Sequence, residues 1–217
     1  ERDILGHFIQ YIADVKPFVV TGFNNWKFDD VWIFNKAKIH KLDKQLLNAL
    51  SYYETTTAKF GTIKPKLDGE VVKDDQYKTF TEGFTLFHDV MFSAKKEDPK
   101  KFSQRNRANL DTMLSVFNIV SPYNGKTLSK TDMKIAYMFK CWKNNEHIYL
   151  IAKYCCQDAW ITGCLAISRN MFGDLIEKYN IAKDESIFFD DKVKNAPQNE
   201  KINTFEYGVK RGYFIQN

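Results

Sequence analysis

Apolar positions recur at helical spacing from the start of the chain. Ile4, Leu5, Phe8, Ile9, Tyr11 and Ile12 share one face of residues 3–15, which predicts an amphipathic helix ended by Pro17. The β-branched and aromatic run Phe18-Val19-Val20-Thr21, closed by Gly22, predicts a buried strand. A turn through Asn24 and Asn25 then leads into a helix carrying Asp29, Val31, Trp32 and Phe34. Residues 39–53 read as another helix, with Leu42, Leu46, Leu47 and Leu50 on one side. Asp68-Gly69 sits between two short β-forming runs and predicts a hairpin. Residues 84–92 predict a strand ending near Asp89, and the charged stretch 95–101 a solvated loop with a phosphate contact as the other reading. Helical patterns follow at 107–117, 131–143 and 146–179, the last with an expected break near His147 or Gly163. Residues 183–217 read as a linker and the start of a following segment. Helices alternating with strands in this order imply an α/β fold.

Composition narrows the class. Apolar residues make up 44% and aromatics 15%, too much for a disordered chain. A net charge of +5 is compatible with a nucleic-acid partner without requiring one. Cys141, Cys155, Cys156 and Cys164 form no C-x-x-C pair, and the four histidines have no ligand spacing. The cysteines are therefore expected as reduced thiols on helices, in an intracellular, reducing setting. No apolar run approaches a membrane span, so no membrane partner is expected.

Two segments carry candidate chemistry. Asp29 opens a helix after a tight turn, where a carboxylate reaches a cleft at the sheet edge. Tyr154 and Asp158 are four residues apart on a helix and share a face. Carboxylates from separate segments are what phosphodiester cleavage by two metal ions, ~3.5–4 Å apart, requires. Oxygen ligands suit Mg²⁺ or Mn²⁺, and a tyrosine hydroxyl one turn away can orient the attacking water. Other readings stay open: Asp29 and Asp30 as first-turn acids favourable with the helix dipole, Tyr154 as a half-buried core aromatic, Asp158 as a surface residue. Asp89 is read as a structural residue or a support behind the site. Of the four tryptophans, Trp26 is the candidate for base stacking and Lys27 for a phosphate contact. Trp32, Trp142 and Trp160 are placed in the core by their helical spacing.

Gly22-Phe23-Asn24-x-x-x-Phe28-Asp29 resembles the second exonuclease motif, G-Y-N-x-x-x-F-D, of family B DNA polymerases. Tyr154-Cys155-x-x-Asp158-Ala159 is similar to their third, Y-C-x-x-D-A, and Lys16-Pro17-Phe18-Val19-Val20-Thr21 to the family's entry into the second. The resemblance covers residues 1–182 and implies a ribonuclease-H-like exonuclease fold, a mixed sheet flanked by helices. It implies a proofreading 3′→5′ exonuclease with two Mg²⁺ or Mn²⁺ ions. Asp29 and Asp158 become metal ligands, Tyr154 positions the water, Asn24 contacts the 3′-terminal strand and Phe28 packs beneath the motif. Implied partners are the single-stranded 3′ end of primer DNA, the rest of the polymerase polypeptide and a processivity factor. The implied location is the nucleus or a viral replication site. The family's first motif, Asp-x-Glu on a strand, has no counterpart upstream of Asn24. An N-terminally truncated domain is therefore expected, and a non-catalytic scaffold or single-strand guide is the alternative.

Overall fold

The computed structural model describes residues 1–51, 58–67, 70–71, 77–81, 85–102 and 108–172. The Asp68-Gly69 turn and the expected linker at 183–217 lie outside them.

The chain opens with α1 (Arg2–Val15), which buries Leu5, Ile9 and Ile12 and ends at Lys16, a left-handed residue whose N–H bonds back to Ile12. Strand β1 (Val19–Gly22) follows, then α2 (Asp29–Ile39) and α3 (Asp43–Leu50). Next come β2 (Lys59–Thr62), β3 (Lys66–Leu67), β4 (Glu70–Val71), β5 (Lys78–Thr81) and β6 (Leu86–Asp89). The rest is helical: α4 (Val90–Glu97), α5 (Pro99–Phe102), α6 (Leu110–Val116), α7 (Ile135–Asn144) and α8 (Ile148–Ser168).

The α/β class is as expected. The mixed sheet is not formed as one unit among the described residues, where the strands make three two-stranded sheets. β1 runs parallel to β6 with Gly22 opposite Asp89, while β2 pairs antiparallel with β5 and β3 with β4. The β3–β4 pair is the predicted hairpin. β1 is half-buried rather than buried, because its pairing to β6 covers one edge and leaves Thr21 exposed.

Two apolar clusters hold these elements. The first joins α1, α3 and the strands through Leu5, Ile9, Leu46, Leu50, Phe80 and Phe87. Phe34, Phe60 and Phe80 pack ring to ring within it, the first two with centroids 4.2 Å apart. The second gathers Val90, Met91 and Phe92 of α4, Met113 and Leu114 of α6, and Ile161 and Leu165 of α8. Phe87 lies in the first cluster and Val90 in the second, so the β6–α4 junction at Asp89 is where the two meet.

The expected loop at 95–101 is instead the end of α4 and the short α5. The apolar face Val90, Met91, Phe92 and Ala94 carries the helix on, and buried Phe102 anchors α5. The long helical pattern breaks at Asn145 and His147, both with positive φ, and α8 then runs uninterrupted through Gly163.

Candidate active site

The turn between β1 and α2 is built from its backbone outward. Asn24 takes a left-handed conformation (φ 60°), which asparagine tolerates better than most residues. Lys27 N–H donates to Asn24 O, while Phe28 and Asp30 N–H both donate to Asn25 O. Gly22 is required by space: a Cβ there would lie 2.8 Å from Asn25 Cβ. Asn25 cannot easily give way, since it is buried and its Nδ2 donates to Asp30 Oδ1 at 3.2 Å.

Two buried carboxylates grip this turn. Asp89 is fully buried, and its Oδ1 accepts from Asn24 N at 2.8 Å and Met91 N at 3.0 Å. Its Oδ2 accepts from Trp26 N at 3.3 Å. Asp30, on the buried side of α2, accepts from Thr79 Oγ1 at 2.5 Å as well as from Asn25. Burial pushes Asp89 up to about 7, against the pull of the three N–H donors. It pushes Asp30 up to about 6, against the Thr79 and Asn25 bonds. Neighbouring His88 is driven the other way by burial, down to about 4.

Asp29 projects from the exposed side of the same helix start, yet nearby protein desolvates its carboxyl and raises it above the ordinary range. Asp158 and Tyr154 lie half-buried on α8, which packs against β1. The Cys155 thiol is raised by burial first, then by the charges of Asp158, Cys156 and Asp29. α8 packs against β1, the strand that leads into the turn before Asp29, so the fold brings the two segments near one another.

Sequence reasoning missed the residue that organises the α8 half. Lys130 Nζ stands 3.0 Å from Asp158 Oδ2 and 5.1 Å from the centre of the Tyr154 ring. Its backbone N–H donates to Asp111 Oδ1, and neighbouring Thr131 bonds Gln157, so the chain at 130–131 is tied to both α6 and α8. Burial pulls the Lys130 ammonium down, but its bonds to Tyr154 and Asp158 outweigh that and the net shift is upward. The Tyr154 hydroxyl is raised above its ordinary range, by burial first and then by Asp158, with Lys130 opposing. A lysine in a polar stretch carries no periodic signal, so only the fold could point to it.

Other expected positions are corrected. Phe28 is 61% exposed and does not pack beneath the motif. Trp32 and Trp142 are more than half exposed and Trp160 is 38% exposed, so none belongs to the core. Helical spacing shows that residues share a face, not that anything covers it. Trp26 is the packed one: its ring stacks on Phe92 at 5.1 Å and its Nε1 donates to Phe87 O. Lys27 places its ammonium 5.5 Å from the Tyr77 ring centre. All four cysteines are free thiols on α7 or α8, as expected.

A divalent cation fits part of this arrangement. Asp158 Oδ1 is buried without a hydrogen-bond partner among the described residues, and a hard cation is one group that satisfies such an oxygen. No group of three or more metal-ligating side chains converges among the described residues.

The family model for the DNA polymerase family B exonuclease domain matches residues 1–111, half of the chain. The chain belongs to this family. The match takes in α1, the β1–α2 turn, Asp29, Asp30 and Asp89, and stops before Lys130, Tyr154 and Asp158. A comparison with curated proteins finds no match. Among the described residues no helix of this exonuclease domain is long and apolar enough to cross a membrane.

Proposed function

We propose that this exonuclease domain removes nucleotides from the 3′ end of a DNA strand, as the proofreading part of a family B polymerase with a ribonuclease-H-like fold. The observations that carry the reading are the family match over the β1–α2 turn that leads to Asp29 and the packing of α8, which bears Asp158 and Tyr154, against β1. Asp29 and Asp158 would hold a divalent cation, Mg²⁺ or Mn²⁺. When bound, it supplies positive charge to the phosphate oxygens and lowers the cost of forming hydroxide.

The chain's own groups do the rest. Burial holds the Tyr154 hydroxyl above the ordinary tyrosine range, which favours the phenol over the phenolate. It therefore orients the attacking water by hydrogen bonding rather than acting as a phenolate base. Lys130 holds Asp158 and Tyr154 together and places a fixed ammonium beside them, favourable to a phosphodiester gaining charge. Asn24 lies on the turn beside Asp29 and contacts the terminal strand. Water oxygen bonds phosphorus, the P–O3′ bond breaks, and the strand keeps the 3′-hydroxyl while a 5′-mononucleotide leaves. A frayed end is selected because an unpaired terminus costs least to separate.

One observation favours a second reading, a binding scaffold without hydrolysis. Lys130 already neutralises Asp158, and no group of three or more metal-ligating side chains converges among the described residues. The deciding experiment is degradation of a 3′-mismatched primer with Mg²⁺ by the whole polymerase carrying this domain, beside its Asp158→Ala variant. Stepwise shortening that disappears in the variant supports the exonuclease. Equal or absent shortening in both, with polymerisation intact, leaves the scaffold.

A further inference from the structure

We infer that Asp89 is a positioning residue of the exonuclease site. Its carboxylate, contributed 65 residues downstream, sets the β1–α2 turn and so the placement of Asn24 and Asp29. The inference rests on the exonuclease reading above.

A turn that presents a strand-contacting asparagine and a carboxylate within five residues needs a rigid backbone, because a displacement of about 1 Å can cost a reaction ~100-fold. The local sequence supplies only part of that rigidity. Asn24 sits in a left-handed conformation that is not the default, and its side-chain Oδ1 is buried with no hydrogen-bond partner among the described residues. What offsets this is Asp89. It accepts both Asn24 N–H and Trp26 N–H from the turn, and its third bond, from Met91 N, caps α4. An N-cap alone needs one oxygen; here the second oxygen is spent on the turn.

Asp89 is itself fixed. It ends β6 opposite Gly22, so strand pairing sets its height against the turn, and α4 is anchored by Val90, Met91 and Phe92 in the core. The far end of the turn has its own anchor, Asp30 held by Thr79 and Asn25. Two carboxylates from different elements therefore determine how Asn24 and Asp29 leave the sheet, and neither Asp89 nor Asp30 touches solvent appreciably.

Serine and asparagine separate capping from positioning. Asp89→Ser keeps a short N-cap oxygen for Met91 but cannot reach both turn amides. Asp89→Asn keeps one oxygen for Asn24 and Met91 and loses the acceptor for Trp26. Two readouts are needed. In the 217-residue chain, amide hydrogen exchange should show Asn24 and Trp26 losing at least tenfold protection in Asp89→Ser, with the amides of α1 unchanged. In the whole polymerase, kcat for shortening a single-stranded 3′ end should fall at least tenfold in Asp89→Ser and by less in Asp89→Asn, at a temperature where circular dichroism shows both folded. Protection at Asn24 and Trp26 equal to the parent, or a rate within twofold of it, overturns the proposal. If the serine variant does not fold, Asp89→Asn decides: unchanged Trp26 protection overturns it. Failure of the exonuclease reading looks different, because Asp158→Ala would then leave shortening unaffected while the exchange data still report on the turn.

Discussion

Replacing Gly22 with alanine is expected to destabilise the fold by about 1–2 kcal/mol, whereas Gly163→Ala is expected to stabilise it. Gly22 is not among the positive-φ residues, so its backbone does not require glycine. The constraint is space: the new Cβ would lie 2.8 Å from Asn25 Cβ, 3.0 Å from its Cγ and 3.2 Å from its Oδ1. The nearest of these atoms is joined directly to the backbone, so rotating the Asn25 amide gives no relief. Asn25 is held by its bond to Asp30 and by the two N–H groups its carbonyl accepts. Overpacking of this kind costs about 1–3 kcal/mol. The stiffer unfolded chain returns about 0.4–1 kcal/mol, which leaves the net figure. Gly163 lies inside α8, and a methyl added there would meet nothing within 4 Å, so helix propensity alone operates and favours alanine by about 0.8–1 kcal/mol. Urea unfolding followed by circular dichroism, with slopes compared to exclude a change in the denatured state, measures both. A Gly22→Ala protein as stable as the parent would refute the reasoning, because Asn25 and the turn would then be free to move.

Burial raises Asp89 to about 7 and Asp30 to about 6, so both native carboxyls hold their protons above the unfolded range. Stability from these groups is full below about pH 4 and is lost as pH rises towards 7. His88, lowered to about 4, acts oppositely below about pH 6.5 but is one group against two. The unfolding free energy from urea titration should therefore be larger at pH 5 than at pH 7.5, by on the order of a few kcal/mol, and a rise with pH would count against the buried pair. Lys130→Met removes a partly exposed ion pair and should change stability by less than about 1 kcal/mol. It should also tighten Mn²⁺ binding by the chain, since the ammonium no longer occupies Asp158; calorimetric titration showing unchanged affinity would argue that Asp158 is not a cation site. Leu114→Ala, at a fully buried position of the second cluster, should cost about 2–5 kcal/mol in the same unfolding assay, and a loss below about 1 kcal/mol would mean that cluster is loosely packed.

Local order was legible along the chain wherever neighbours in sequence decide structure. The apolar stripe of α1, the run of β1 and the turn at Asn24 follow from spacing and residue type within a few positions. So does the common face of Tyr154 and Asp158, since four residues is about one helical turn. Tertiary structure alone decided the rest, because the partners lie far apart in the chain. Nothing near Asp89 in sequence indicates that it would hold amides 65 residues earlier, and nothing near Lys130 marks it as the partner of Asp158. The tryptophans show the same limit from the other side. Their periodicity was plain, but whether a face is covered depends on what packs against it, which left Trp32 and Trp142 in solvent and drew Trp26 inward onto Phe92. A sequence sets which side chains stand together on an element; the free energy of desolvation, settled between distant elements, decides which of them are buried, charged or paired.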